Sequence, residues 1–227
     1  MSKSKVWGGL VVVIYLLFII FEFSNKYDMA FVLDSMVVPI ITIAYIIFSK
    51  KKDIYFLLFL MCYAVSEILG VATHLILYYN LPFNDRLIFY EYDYYIGSAL
   101  YILGYAFLLF KISKTIDLRH ILRNFKIHLV VLTILNVYLI YVLQFIVTTE
   151  LEYQYEYHME LVYNVIVLVL LSVSLLSYIY RDNKKSLFLL IGALFIVFSE
   201  VMDVAYNYID QRDLVHVIAA TFALCAF

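Results

Sequence analysis

Charged residues, cysteine and proline are all scarce in this chain of 227 residues. Only 15% of its residues are charged and 66% are hydrophobic, whereas soluble domains have about 25% charged and about 45–50% apolar residues. Together with a mean hydropathy of +0.94, this composition excludes an ordinary soluble domain and predicts an integral membrane protein. The formal net charge of −2 gives no indication of a nucleic-acid partner.

The two cysteines and the two prolines exclude further classes. Cys62 and Cys225 lie within apolar runs and have neither a CxxC motif nor metal-ligand spacing, so we interpret them as small buried side chains. Pro39 is the only proline inside an apolar run. The apolar runs are therefore expected to be continuous helices, and no second, soluble domain is indicated.

Eight apolar runs are interpreted as membrane spans. A hydrocarbon core of about 30 Å takes roughly 20 residues of helix, and the last run is shorter, with fifteen residues. The first run is too long for a signal peptide and lacks a small-residue cleavage site, so we expect it to be retained. The predicted spans are residues 7–23, 30–49, 54–79, 93–111, 128–148, 158–180, 186–208 and 213–227.

Basic residues collect on alternate connections, as the positive-inside rule requires. Of the 16 basic residues, all but Lys26, Arg86 and Arg212 lie at the N-terminus or in the connections after the second, fourth and sixth runs. This pattern predicts that both termini are cytoplasmic, and the expected location is the inner (cell) membrane of a bacterium. The acids predicted for the outer face are Asp85, Glu91, Asp93, Glu150, Glu152, Glu156, Glu160, Asp210 and Asp213.

The dipeptide Ser-Glu occurs in the third and seventh runs at an offset of 133 residues. The two runs are the third and the seventh in the predicted order, four spans apart, so both should cross in the same direction. We interpret the chain as a single membrane domain, 1–227, built from two parallel four-helix repeats of about 1–111 and 128–227. Further identities at this offset are Leu57/Leu190, Val71/Val204, Ala72/Ala205 and Ile76/Ile209.

Glu67 and Glu200 should lie at a common depth in the bilayer, roughly 20 Å from the cytoplasmic end at 1.5 Å per residue. A polar seam is predicted to run outward from each glutamate. His74 follows Glu67 on nearly the same face of its helix, and Asn207 takes the equivalent place after Glu200. Asp203 adds a further acid in the second half.

Intramembrane acids are rare, because one costs about 2.5–3.5 kcal/mol on insertion scales, and they normally mark functional sites. Two carboxyls can act as general acid and base on one substrate, or they can bind a cation or relay protons. They can also simply hold helices together through hydrogen bonds between Ser66/Glu67 and Ser199/Glu200. The residue pattern leaves these three interpretations open.

Four segments resemble the lysoplasmalogenase-like YhhN family of membrane proteins. GALFIVFSEVMDVAYNYI, from Gly192, is similar to the family's seventh helix, and AVSEILG is similar to its Gly-Asp segment in the third. VPIITIAYIIF, from Val38, looks like the Lys-Pro-Leu-Thr segment, and IGSALYILGYAF looks like the Ala-His-Leu-Leu-Tyr segment. Eight helices are also what the family implies.

The resemblance implies hydrolysis of the vinyl ether bond of a lysolipid to a fatty aldehyde and a glycerophospho-alcohol, without a cofactor or a metal. Glu67 and Glu200 stand where the family has aspartates and would be the catalytic pair. Val38 and Ser98 replace the family's Lys and His, and Tyr101 is retained. The residues expected to bind the lipid are Asp203, His74, Ser98, Tyr101 and Asn207.

Two other classes are compatible with the same residues. A transporter or ion-coupled carrier would use the acids as a cation or proton site, although the helices that carry them are not interrupted by proline. A metal-dependent lipid hydrolase would need converging ligands, for which the sequence offers His74, Asp203 and His216. The oligomeric state is not indicated.

Overall fold

The computed structural model describes residues 3–80, 83–148, 155–209 and 211–227, and every regular element in these ranges is an α-helix. Glu150, Glu152 and Asp210, which are predicted for the outer face, lie outside the described residues. The helices in these ranges are α1 (Lys3–Glu22), α2 (Tyr27–Phe48), α3 (Ile54–Asn80), α4 (Phe83–Ser113), α5 (Leu118–Asn124), α6 (Lys126–Val147), α7 (Glu156–Arg181), α8 (Lys184–Tyr208) and α9 (Asp213–Ala226).

Seven of the described helices are long and apolar enough to cross a membrane, namely α1 to α4 and α6 to α8. This confirms the prediction of an all-helical integral membrane protein. The eighth predicted span corresponds to α9, which has 14 residues. At 1.5 Å per residue it is about 21 Å long, which is shorter than a bilayer core of about 30 Å. The eighth crossing therefore stays a prediction.

Two helices differ from the predicted boundaries. α4 begins at Phe83, ten residues before the predicted start at residue 93, because neither glycine nor proline interrupts residues 83–96. The basic connection that follows α4 contains a further short helix, α5, which was not predicted. The Asp117 side chain accepts hydrogen bonds from the backbone N–H groups of Arg119 and His120, which is the usual N-cap arrangement.

The connection between α7 and α8 is a tight turn of two residues. Asp182 takes a left-handed conformation (φ 42°) and ends α7. Asn183 then begins α8 through a capping box with Ser186, in which the two residues satisfy each other's free N–H groups. So short a turn makes α7 and α8 antiparallel neighbours.

The chain divides into two compact units, Met1–Gly104 and Tyr105–Phe227, with the boundary inside α4. In the first unit α2 packs against both α1 and α3. Phe18, Ala30 and Leu60 are among its fully buried apolar side chains. Ala64 and Val71, on the same helix as Glu67, are buried as well.

In the second unit α7 and α8 form the centre, with α6 and α9 packed beside them. Leu168, Leu170 and Ala219 are fully buried there. α6 leaves a broad apolar face uncovered, including Ile134 and Tyr141 at 65% and 68% exposed. Such a face is suited to contact with lipid tails, which are as apolar as the side chains themselves.

Candidate functional site

The first predicted glutamate, Glu67, is held by a tyrosine from the next helix. The Tyr101 hydroxyl on α4 donates a hydrogen bond to Glu67 Oε1 on α3, at 3.0 Å. The ring of Tyr63, one turn before Glu67, packs edge-on against Tyr101 with ring centroids 4.6 Å apart. Glu67 and Tyr101 are both partly buried. Two of the predicted site residues are therefore in direct contact.

Ser66 links the same two helices through the backbone. Its hydroxyl donates to the carbonyl oxygen of Gly97 on α4 at 3.3 Å, and a Cβ atom on Gly97 would lie 3.2 Å from Ser66 Oγ. Gly104 lies two turns further along α4, and a Cβ atom on it would be 3.4 Å from the carbonyl oxygen of Phe59. Glycine at these positions lets α3 and α4 approach closely, as small residues commonly do in membrane helices.

Two polar side chains follow Glu67 on α3, and they contact two different helices. The Thr73 hydroxyl donates to Asp93 on α4 at 3.0 Å. His74 instead lies against α2, where its Nε2 is 3.2 Å from Asp28 Oδ1 and its ring packs against Phe31. Ser98, the remaining predicted site residue of the first unit, is partly buried on α4.

The second predicted glutamate, Glu200, is also held by a tyrosine of α4. The Tyr105 hydroxyl donates to Glu200 Oε1 at 2.6 Å, and Tyr105 is only 1% exposed. Tyr163 on α7 provides a second hydroxyl hydrogen bond to Glu200, and its ring packs edge-on against Tyr105 with centroids 5.8 Å apart. Glu160, also on α7, interacts electrostatically with Glu200.

Ser199 repeats the role of Ser66. Its hydroxyl donates to the carbonyl oxygen of Ala219 on α9 at 2.9 Å. Each Ser-Glu pair therefore joins its helix to the following helix through serine, and receives a tyrosine hydroxyl on glutamate. α9 runs antiparallel along α8, because His216 stacks on Tyr206 while Gly192 faces the carbonyl oxygen of Ala226.

A third acid–tyrosine pair joins the far ends of α7 and α8. The Tyr208 hydroxyl donates to Glu156 Oε1 at 2.8 Å, and Glu156 is only 4% exposed. Glu156 and Glu160 are one turn apart on α7 and so share a face. Of these two acids, Glu160 is the one that interacts with Glu200. Of the other predicted site residues in this unit, Asp203 is partly buried and Asn207 is exposed.

Sequence reasoning missed Tyr105, Tyr163, Glu156 and Glu160 as members of the site. The two acids were assigned to a solvated outer face, although their spacing of four residues within an apolar helix is a signal of a shared, inward face. Tyr105 lies four residues after Tyr101, the retained tyrosine. With 23 tyrosines in the chain, the residue type alone could not single it out.

The ligands for a metal ion do not come together in the described part of the chain. Among residues 3–80, 83–148, 155–209 and 211–227, no group of three or more His, Cys, Asp or Glu residues is placed to hold one. His74 is paired with Asp28, and the ring of His216 is stacked on that of Tyr206.

Comparison with known proteins found no matching family model, no matching curated protein and no matching solved structure.

Proposed function

We propose that this protein is a membrane-embedded lipid hydrolase that resembles lysoplasmalogenases and cleaves the vinyl ether bond of a lysolipid. The observation that carries the proposal is the hydrogen bonding of two intramembrane glutamates. Glu67 accepts the Tyr101 hydroxyl, and Glu200 accepts the Tyr105 hydroxyl. Carboxylates in a membrane helix normally mark a functional site, and a fixed hydrogen-bond partner orients them for proton transfer.

The proposed reaction uses the two carboxyl groups in succession. The protonated carboxyl of one glutamate transfers its proton to the β-carbon of the vinyl ether, which leaves an oxocarbenium ion on the ether side. The carboxylate of the other glutamate stabilises this cation and takes a proton from the water that attacks it. The resulting hemiacetal then collapses, so that one water is consumed and a fatty aldehyde and a glycerophospho-alcohol are released.

The lipid would be held by the residues predicted to line the site. Tyr101 has a defined role in this scheme, because its hydroxyl fixes the Glu67 carboxylate, and Tyr105 does the same for Glu200. We assign contact with the lipid to Ser98, Asp203, His74 and Asn207. A site at this depth lets a lipid reach it from within the bilayer, without crossing the aqueous phase.

The proposed architecture has eight crossings in two parallel four-helix repeats, with both termini in the cytoplasm of a bacterium whose inner membrane holds the protein. The matching hydrogen bonds of Ser66 to Gly97 and of Ser199 to Ala219 support the repeat. The distribution of the 16 basic residues supports the orientation.

The direct test is aldehyde release from a lysoplasmalogen by the purified protein in lipid nanodiscs. Glu67→Gln and Glu200→Gln should each lower kcat by about 100-fold or more, the usual share of general acid–base catalysis. If both acids act on one substrate, the double variant should be little worse than either single variant, because residues that work as a unit are not additive.

Two matched controls accompany this assay. Glu91→Gln removes a partly buried acid from α4 and should leave aldehyde release unchanged, and the corresponding ester lysolipid should not be cleaved. A wild-type protein that releases no aldehyde would contradict the hydrolase. Losses that multiply in the double variant would contradict the joint action of the two acids.

A proton- or cation-coupled carrier is the second candidate, and the pairs along α7 and α8 favour it. Glu156 with Tyr208 and Glu200 with Tyr105 and Tyr163 provide successive hydrogen-bonding groups within one unit. Chains of acids in membrane helices are typical of proton relays. Proton flux into proteoliposomes that Glu156→Gln and Glu200→Gln abolish, without aldehyde release, would select the carrier.

A further inference from the structure

The short helix α5 presents a basic surface beside the membrane spans. It lies between the end of α4 and the start of α6, and its Ile121 is buried, at 2% exposed. Arg119 and Arg123 are exposed, as is Lys114 just before the helix. The buried isoleucine and the Asp117 cap fix the helix in place, so that its arginines are held on one side.

The tight turn between α7 and α8 adjoins this helix in the same unit. The ring of His120 on α5 packs against Tyr180 at the end of α7, with centroids 5.4 Å apart. Arg181 follows Tyr180 directly as the last residue of α7, and Lys184 and Lys185 are the first residues of α8. All three side chains are exposed. Two basic segments that are about sixty residues apart in the sequence are therefore neighbours in the fold.

We call the combined exposed residues the basic surface: Lys114, Arg119, Arg123, Arg181, Lys184 and Lys185. Two acids lie within the same segments, and one of them, Asp117, is engaged by the backbone of α5. The other is the exposed Asp182. The surface thus has a clear positive excess, which calls for an anionic partner.

The location of the basic surface restricts that partner. The surface is formed where the apolar helices α4 and α7 end and where α6 and α8 begin. Ends of membrane-spanning helices lie at the level of the lipid headgroups. Arginine forms bidentate hydrogen bonds with phosphate, and lysine attracts it as a point charge.

We propose that the basic surface binds the headgroups of anionic phospholipids in the bilayer that surrounds the protein. The phosphate of a lipid such as phosphatidylglycerol would be held between Arg119 and Arg123 of α5 and Lys184 and Lys185 at the start of α8. This binding is independent of the hydrolase proposed above, because it uses none of the residues assigned to that reaction.

Native mass spectrometry of the detergent-solubilised full chain tests this site with phosphatidylglycerol and phosphatidylcholine as probes. Wild type should bind phosphatidylglycerol more tightly. Each basic residue near a membrane surface contributes about 1 kcal/mol to the attraction of anionic lipid, equivalent to a factor of about five in affinity. The variant R119Q/R123Q/K185Q should therefore bind phosphatidylglycerol at least tenfold more weakly than wild type. Its binding of phosphatidylcholine should be unchanged. The substituted side chains are exposed, so the fold should be retained, and circular dichroism verifies this.

The matched control is K50Q/K51Q/K52Q, which removes three exposed basic residues from the connection between α2 and α3 and should have less than a threefold effect. Equal binding of the two lipids by wild type would overturn the proposal, and so would an equal loss in the control. The proposal would also be overturned if wild type bound a polyglutamate peptide more tightly than phosphatidylglycerol and R119Q/R123Q/K185Q lost that binding. This result would indicate an acidic protein as the partner of the basic surface. A further measurement uses wild type alone. Its preference for phosphatidylglycerol over phosphatidylcholine should fall as the salt concentration is raised, because salt screens the attraction between charges.

Discussion

Tyrosine is well suited to hold a carboxylate inside a membrane helix bundle. Its ring is apolar and packs among hydrophobic side chains, while its hydroxyl donates one directed hydrogen bond. Tyr105 shows both properties, since it is 1% exposed and its hydroxyl lies 2.6 Å from Glu200 Oε1. Without such donors a carboxylate in hydrocarbon would bear the full cost of lost hydration.

Tyr105→Phe removes this hydroxyl and keeps the ring packing against Tyr163. We expect the free energy of unfolding to fall by about 0.6–1.7 kcal/mol, which spans the average and the maximum measured for hydrogen bonds between membrane helices. Tyr101→Phe should cost less, because the Tyr101–Glu67 bond is longer, at 3.0 Å, and both residues are partly exposed. Unfolding by sodium dodecyl sulfate in bicelles measures both values.

Tyr138→Phe is the matched control for these variants. Tyr138 is 62% exposed on α6, so the loss of its hydroxyl should change the stability by less than about 0.5 kcal/mol. A Tyr105→Phe protein as stable as this control would show that the bond to Glu200 contributes nothing to the fold.

At the scale of helices, glycine decides how closely α3 and α4 approach. Gly97 and Gly104 are seven residues apart on α4, so they lie on nearly the same face. That face meets Ser66 and the Phe59 carbonyl of α3. Close backbone approach is what brings Tyr101, one turn after Gly97, within reach of Glu67.

Gly97→Ala tests this approach. The added Cβ would lie 3.2 Å from Ser66 Oγ, so the serine must shift or the helices must separate. Overpacking of this kind typically costs about 1–3 kcal/mol, and we expect a loss in the lower part of that range by the same unfolding titration.

Gly9→Ala provides the comparison within a helix of the same unit. A Cβ on Gly9 meets nothing within 4 Å, and alanine is the better helix former by about 1 kcal/mol, so this variant should be at least as stable as wild type. If Gly97→Ala were equally stable, the close contact between α3 and α4 would not limit the fold.

At the scale of the whole molecule, the number of crossings decides where the C-terminus lies. α9 packs along α8 through the Ser199–Ala219 hydrogen bond and the rings of Phe195 and Phe222. We predict that α9 completes the eighth crossing and that both termini are cytoplasmic.

Fusions expressed in bacteria measure this orientation. Green fluorescent protein, which fluoresces in the cytoplasm, should be fluorescent at either terminus, and alkaline phosphatase should be inactive at both. A phosphatase fusion after Gln211, between α8 and α9, should be active. A fusion at Lys51, in the basic connection between α2 and α3, serves as the cytoplasmic control. An active phosphatase at the C-terminus would contradict eight crossings and indicate seven.

The class of fold could be predicted from the sequence because it depends on local composition. Seven predicted spans have counterparts among the long apolar helices, since about 20 apolar residues suffice to identify a membrane helix. The start of α4 and the presence of α5 were missed. The Asp117 cap settles the start of α5, and the absence of glycine and proline from residues 83–96 lets α4 begin early; hydropathy indicates neither.

The candidate site was predictable only in part. Glu67 and Glu200 stand out in the sequence, because a carboxylate in an apolar run is rare. Their tyrosine partners do not, since the distance between Tyr105 and Glu200 along the chain gives no hint that they touch. His74 was expected to follow Glu67 along one seam, yet it pairs with Asp28 on α2.

The amino-acid sequence by itself determines that this is a helical membrane protein with two Ser-Glu pairs inside its spans, because hydropathy and charge are properties of each segment alone. Only the tertiary structure decided which side chains meet those glutamates and that α5 adjoins the α7–α8 turn. Such contacts depend on the rotation and offset of whole helices, which are set by packing at residues such as Gly97 and Ile121, and local composition does not encode them.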